Sequence, residues 1–245
     1  MSKTVAIFGA GTGLGLSVAR RFGREGYRVA LVGRNVSSLD HLVAELGTDG
    51  VEAAAFPADL TRTAEVPALI EAITARYGSI DVVEYAPITT APFVPAAELT
   101  PEVAQGFVNL YLLTPLEIVR QVLPTMVERG DGGILITQGA SAVNPAPFMS
   151  GVGPAMAAAR NYLHSLHGEV AGKGVYVGTL MVNAMILGSA GHRAMTAGEL
   201  GVDMPQGVEI PTVDPVDLAD LLWKLLSTRD RIEVLHPDVD YSSAL

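Results

Sequence analysis

The chain lacks cysteine, is poor in basic residues and has no long apolar run. The absence of cysteine from its 245 residues excludes disulfides, thiolate nucleophiles and cysteine metal sites, so we expect a cytoplasmic protein. Only 16 Lys and Arg accompany 26 Asp and Glu, and the formal charge of −10 argues against a nucleic-acid partner or an anionic membrane surface. The longest apolar stretch, 175–188, is shorter than the ~20 residues of a membrane-spanning helix. The apolar run 5–8 meets Gly9 too early for a signal peptide.

Short apolar runs alternate with segments of helical periodicity along the whole chain. Strands are predicted at 5–8, 29–32, 51–56, 80–83, 134–137, 175–182 and 232–235. Helices are predicted near 16–26, 37–47, 66–78, 101–127, 154–171 and 215–225. This alternation indicates an α/β fold, a Rossmann-like doubly wound parallel sheet with helices on both faces, in one domain over 1–245. The segment 187–212, which has no clear periodicity, is predicted to be a substrate lid.

A glycine-rich loop lies where the first strand turns into the first helix. Glycine lets the backbone approach a ligand closely, and the amides at the helix N-terminus attract phosphate, so the loop is typical of dinucleotide binding. A tight turn that only needs positive φ is the alternative. The loop residues predicted to bind the cofactor are Gly9, Gly11, Thr12, Gly13, Leu14 and Gly15.

A basic residue follows the second strand, where NAD-binding proteins usually have a carboxylate. Arg34 can hold a 2′-phosphate through paired charge-assisted bonds, which predicts NADP as the cofactor, with a solvated surface arginine as the alternative. Asn35 can add a neutral hydrogen bond. Asp59 and the adjacent Leu60 follow the third strand and are assigned to the adenine end of the site, although Asp59 is equally suited to capping a helix.

Several motifs together resemble the short-chain dehydrogenase/reductase family. They are Gly9-x-x-x-Gly13-x-Gly15, Gly33-Arg34, Asp59-Leu60 and Val108-Asn109-Leu110, and the resemblance covers essentially the whole chain. It implies a seven-stranded sheet in the order 3-2-1-4-5-6-7, an NADP cleft and a homodimer or homotetramer. It also implies that Asn109 corresponds to the family asparagine that helps to hold a proton-relay water.

The catalytic segment departs from that family's pattern. The family has a serine after strand five, a tyrosine thirteen residues later and a lysine four residues after that. Gly139, Val152 and Met156 stand at these places, and none of them can act as a proton donor. Ser141, two residues beyond the family serine, is the candidate to bind a substrate oxygen; the alternative is a loop serine bonded to its own backbone.

Two weaker catalytic candidates are Tyr85, at a strand's carboxyl end, and His192, in the predicted lid. A packed tyrosine and a surface histidine are their alternatives. Nothing in the sequence indicates a metal site. The function expected from the resemblance is an NADP-dependent oxidoreductase of a small apolar carbonyl or alcohol, with an atypical active site. A catalytically silent nucleotide-binding partner and a redox-neutral cyclase or dehydratase remain as alternatives.

Overall fold

The computed structural model describes residues 2–89, 94–199 and 211–238, and within these ranges it contains nine strands and eight α-helices. The strands are β1 (Thr4–Phe8), β2 (Arg28–Gly33), β3 (Ala53–Pro57), β4 (Val82–Tyr85), β5 (Gly132–Gly139), β6 (Val175–Val182), β7 (Met185–Ile186), β8 (Thr212–Val213) and β9 (Glu233–His236). The helices are α1 (Leu14–Arg24), α2 (Val36–Thr48), α3 (Val66–Tyr77), α4 (Pro101–Val108), α5 (Thr114–Arg129), α6 (Val152–Val170), α7 (Ala190–Thr196) and α8 (Pro215–Thr228).

Seven of these strands form one parallel sheet in the order β3-β2-β1-β4-β5-β6-β9. The predicted doubly wound seven-stranded sheet and its strand order are therefore confirmed. The predicted strand ends differ from the observed ones by at most two residues, and those of β6 agree at both ends. The strand order reverses between β1 and β4, so a crevice opens at the carboxyl ends of these two strands.

Apolar residues alternate between two cores, one on each face of the sheet. Along β1, Val5 and Ile7 face a core that includes residues of α1, α2 and α8, whereas Ala6 and Phe8 face a core that includes residues of α3, α5 and α6. Both faces are covered, which explains why the strands appear in the sequence as continuous apolar runs. Because all seven strands are parallel, their carboxyl ends lie at one edge of the sheet.

The helix predicted over 101–127 is interrupted. A π-helical turn, Asn109–Leu113, separates α4 from α5, and the Thr114 amide donates to the Asn109 carbonyl instead of the Leu110 carbonyl. Pro115 is the reason, because it has no N–H to continue the regular ladder and its ring crowds the preceding turn. The prediction of one continuous helix was wrong on this point.

The predicted lid 187–212 lies partly outside the described residues, which omit 200–210. Its first part contains α7, which the sequence pattern did not predict. Ser189 caps this helix by accepting a hydrogen bond from the His192 amide at 3.0 Å. Its last residue, Thr212, begins the short strand β8, which pairs with β7 in a separate two-stranded sheet.

Candidate functional site

The glycine-rich loop is held between β2 and β4. The amides of Gly9 and Ala10 donate to the Val32 carbonyl at 2.9 and 2.8 Å. Gly9 has φ +94°, and a Cβ built on it would lie 2.6 Å from the Pro87 Cα, so only glycine fits there. A Cβ on Gly15 would lie 2.9 Å from the Ala10 Cα. Two of the glycines are therefore required by packing around the loop itself.

At Gly11 the same loop faces open space, whereas Gly13 lies against the backbone of Ser189. A Cβ built on Gly11 has no atom within 4 Å in the described structure. Gly13 precedes α1, and among the described residues no side chain caps this helix. The Leu16 amide donates to the Gly11 carbonyl at 2.9 Å, so the amides of Leu14 and Gly15 are the ones available to an anion. Leu14 is buried and anchors the start of α1 in the core. This arrangement of open backbone and uncapped helix fits a dinucleotide diphosphate.

Arg34 follows β2 at this edge of the sheet. Its side chain is exposed and forms no hydrogen bond or ion pair within the described ranges. The neighbouring Asn35 caps α2, because its side-chain oxygen accepts from the Ser38 amide at 2.9 Å. The guanidinium is therefore available to an anionic ligand, whereas the carbonyl oxygen of Asn35 already has a structural role.

The residues after β3 lie beside Arg34, and the Ala58 amide donates to the Gly33 carbonyl at 2.9 Å. The carboxylate of Asp59 accepts from the Thr61 amide at 3.0 Å and from the Thr61 hydroxyl at 2.8 Å. The hydrogen bond from the Thr61 amide is the main cause that lowers the pKa of Asp59, and the positive charge of Arg34 lowers this pKa further. Leu60 is buried. The structure thus places Arg34 close enough to Asp59 for its charge to act on the carboxylate.

Tyr85 and Glu84, at the end of β4, are both buried. The Tyr85 hydroxyl donates to the Leu110 carbonyl in the π-helical turn, and burial raises its pKa well above the ordinary value. This is the packing alternative for Tyr85. Glu84 has one oxygen 3.2 Å from the Thr137 hydroxyl and one without a partner in the described structure, and burial raises its pKa to about 8.

The end of β5 and the start of α6 enclose Ser141. Its hydroxyl is buried and has no hydrogen-bond partner within the described part of the chain. A Cβ built on Gly139 would lie 3.6 Å from this hydroxyl and 3.7 Å from the Met156 sulfur, so the two side chains are neighbours. The Gly139 amide donates to the same sulfur at 3.4 Å. Val152 and Met156 are both buried beneath this turn.

Asn109 and His192 are the remaining predicted catalytic residues. Asn109 begins the π-helical turn, is partly exposed, and accepts a hydrogen bond from Gln105 at 2.8 Å. His192 is partly exposed in α7, and its carbonyl accepts from the Thr196 hydroxyl at 2.8 Å. None of the described contacts joins either side chain to Ser141.

A short-chain dehydrogenase model matches residues 3–190. The chain belongs to the short-chain dehydrogenase family. The protein is 32% identical over 178 residues to the oxidoreductase asL5 of Sarocladium schorii. The match covers 73% of this chain and 70% of asL5.

Two solved structures of similar fold carry different cofactors. One is an actinorhodin polyketide ketoreductase with NADPH, at TM-score 0.83 and 24% identity, covering 96% of this chain and 95% of that one. The other is an NAD⁺-bound xylitol dehydrogenase, at TM-score 0.84 and 18% identity, covering 96% and 97%. Both show that the fold is shared.

The described residues contain no cluster of three or more His, Asp or Glu side chains that could hold a metal ion. None of the helices in the described ranges is both long and apolar enough to cross a membrane.

Two residues near the site of this family member are not among the sequence-predicted ones. Arg193, on α7, contacts the glycine-rich loop, and no pattern in the sequence indicates a contact between residues 181 positions apart. Glu84 directly follows the predicted strand 80–83, and the observed β4 extends past it to Tyr85. A carboxylate inside a strand covered on both faces is the signal that was available.

Proposed function

We propose that the protein is an NADP(H)-dependent oxidoreductase that acts on a small apolar carbonyl or alcohol through an atypical proton-transfer site. The observation that carries this proposal is the placement of an unpaired Arg34 beside an open, uncapped glycine-rich loop. Solved relatives of this fold hold NADPH in one case and NAD⁺ in another, so the choice of NADP rests on Arg34.

Each part of the cofactor has its own binding residues in this proposal. The amides from Gly11 to Gly15 bind the diphosphate, and the Thr12 hydroxyl adds a neutral hydrogen bond when it releases the Gly188 carbonyl. Arg34 binds the 2′-phosphate, and its charge-assisted bonds of roughly 1.5–3 kcal/mol each favour NADP over NAD by about one to two orders of magnitude. Asn35, which caps the next helix, fixes the backbone there. Asp59 and Leu60 lie at the adenine end. The bound nicotinamide supplies or accepts the hydride.

The proton-transfer half of the site uses Ser141 and Asn109. The hydroxyl of Ser141 is buried and has no acceptor in the described chain, so a substrate oxygen that displaced the atoms covering it would satisfy an otherwise unpaired donor. By the family resemblance, Gly139, Val152 and Met156 stand in place of the serine, tyrosine and lysine. Without that acid we expect a rate lower by a factor of about 10² to 10⁴, which an easily reduced substrate tolerates.

An apolar substrate is supported by the side chains around the crevice. Ile88, Phe148 and Leu187 follow β4, β5 and β7, and they are 48%, 43% and 39% exposed. Large apolar side chains at this edge of the sheet favour a hydrophobic ligand. Phe148 also has φ +65°, a conformation that costs energy for a residue with a side chain. The proposed substrate is therefore a small molecule with apolar groups beside its carbonyl or hydroxyl.

The setting proposed for this enzyme is the cytoplasm, as a homodimer or homotetramer. The cysteine-free composition suits a reducing compartment. Val103 on α4 and Leu113 in the π-helical turn are 43% and 36% exposed, and exposed apolar side chains of this kind suit pairing with a second copy.

The test is NADPH consumption with a panel of apolar ketones and enones, with a polyhydroxy ketone as the polar control. We expect consumption with at least one apolar compound and much less with NADH. Tight NADPH binding without turnover throughout the panel would instead support the silent nucleotide-binding partner. Product formed without any dinucleotide would support a cyclase or dehydratase.

A further inference from the structure

Arg193 of α7 reaches the glycine-rich loop. Its guanidinium Nη1 donates to the Gly188 carbonyl at 2.6 Å and to the Thr12 hydroxyl at 3.1 Å. The Thr12 hydroxyl in turn donates to the same Gly188 carbonyl at 3.0 Å. An arginine from late in the chain is thus held at the outer part of the loop, where the proposed diphosphate would bind.

The backbone that carries this guanidinium is held against the glycine-rich loop. A Cβ built on Gly13 would lie 3.1 Å from the Ser189 backbone, so the loop and the start of α7 are in close contact. Ser189 caps α7 through the His192 amide, and its carbonyl accepts from the Arg193 amide at 3.1 Å. Arg193 is therefore one helical turn from a capped terminus that rests on the glycine-rich loop.

The present partners of Arg193 are weak acceptors for a guanidinium. Both are neutral oxygens, and Arg193 forms no ion pair with the carboxylates of the described chain. The side chain is also exposed, so an incoming ligand can reach it. Because hydrogen bonds between a guanidinium and a phosphate are about twice as strong as neutral ones, a diphosphate is the preferred acceptor.

We infer that Arg193 is a ligand of the cofactor diphosphate and fastens α7 over the bound dinucleotide. The inference rests on the proposed dinucleotide binding and adds a second anion-binding residue to it. Arg193 gives up the Gly188 carbonyl or the Thr12 hydroxyl in exchange for a phosphate oxygen. Arg34 and Arg193 then have separate tasks: Arg34 distinguishes NADP from NAD, whereas Arg193 binds both because both contain the diphosphate.

The experiment measures dissociation constants for NADPH and NADH by calorimetry with the wild type, Arg193→Ala, Arg193→Lys and Arg24→Ala. Arg24 is an exposed arginine at the other end of α1, so its removal is a matched control for the loss of one positive charge. We expect Arg193→Ala to weaken both dinucleotides by the same factor, about ten- to a hundredfold. Arg193→Lys should be intermediate, and Arg24→Ala should stay within about twofold.

The outcomes separate this inference from the proposed function. If the wild type binds a dinucleotide but Arg193→Ala and Arg193→Lys bind it equally well, the inference is overturned and the proposed function stands. Weakening confined to NADPH also overturns it, because Arg193 would then bind the 2′-phosphate. If the wild type binds neither dinucleotide, both fail. Thermal melting of each variant checks that it is folded, and added salt should weaken binding less in Arg193→Ala than in the wild type.

Discussion

The hydroxyl of Tyr85 donates to the carbonyl of Leu110, which the π-helical turn leaves without a main-chain donor. In a regular helix this carbonyl would accept from Thr114, but the Thr114 amide donates to Asn109. In the wider π-helical register the donor would be residue 115, and Pro115 has no N–H. Tyr85 therefore satisfies a buried carbonyl that the helix cannot satisfy itself.

We expect Tyr85→Phe to lower the free energy of unfolding by about 1–3 kcal/mol, because it leaves the Leu110 carbonyl buried and unpaired. Pro115→Ala restores an N–H at position 115. Urea denaturation of the wild type, both single variants and the double variant measures the coupling. The cost of Tyr85→Phe should be smaller in the Pro115→Ala background. Equal costs in both backgrounds would contradict this account of the turn.

The π-helical turn also illustrates how far the sequence can predict this structure. The sheet was predictable because strands buried on both faces appear as continuous apolar runs. The glycine-rich loop was predictable because its tight backbone turn admits only glycine at some positions. The Thr114-Pro115 pair indicates a break in the long helix. Apolar residues nevertheless recur at helical spacing on both sides of this pair, so the sequence pattern predicts one continuous helix. The Arg193 contact with Thr12 was not predictable, because it depends on how α7 packs against the loop.

Glu84 gives the protein a specific dependence of stability on pH. Burial raises the pKa of its carboxyl from 4.5 to about 8 in the folded chain. Between these pH values the folded state keeps a proton that the unfolded state has lost. The stabilisation is therefore complete below the unfolded pKa and decreases by about 1.4 kcal/mol for each pH unit until the pH passes the folded pKa.

Glu84→Gln removes this titration and keeps the shape of the side chain. Urea denaturation measures the free energy of unfolding of both proteins. We expect the value for Glu84→Gln minus the value for the wild type to increase steadily as the pH rises from about 5 to about 8. The other titrating groups are the same in both proteins, so the difference isolates Glu84. A difference that stays constant over this range would show that the folded carboxyl is already ionised.

Arg34 is expected to determine the choice of cofactor. Arg34→Ala should weaken NADPH binding by about ten- to a hundredfold and NADH binding by less than about twofold, because only NADPH carries the 2′-phosphate. Calorimetric titration with both dinucleotides measures this. Arg62→Ala is the neighbouring control, since Arg62 is exposed near Asp59 but forms an ion pair with Glu65 at 3.0 Å. Equal weakening of both cofactors by Arg34→Ala would exclude a role in reading the 2′-phosphate.

Gly9 and Gly11 provide a matched pair that separates folding from ligand binding in the same loop. Gly9→Ala places a Cβ 2.6 Å from the Pro87 backbone at φ +94°, so the loop or β4 must shift. We expect a loss of about 2–4 kcal/mol in the free energy of unfolding. Gly11→Ala meets no atom within 4 Å in the described structure, so thermal melting should be nearly unchanged.

The same Gly11→Ala methyl group occupies the open face that the diphosphate needs in order to approach the backbone. Calorimetry should therefore show dinucleotide binding weakened by about tenfold or more in a variant that melts like the wild type. Arg24→Ala, remote from the loop at the last turn of α1, controls for general surface changes. If Gly11→Ala binds NADPH normally, the diphosphate does not lie against this face of the loop. If it also melts early, the open space beside Gly11 is being used for packing.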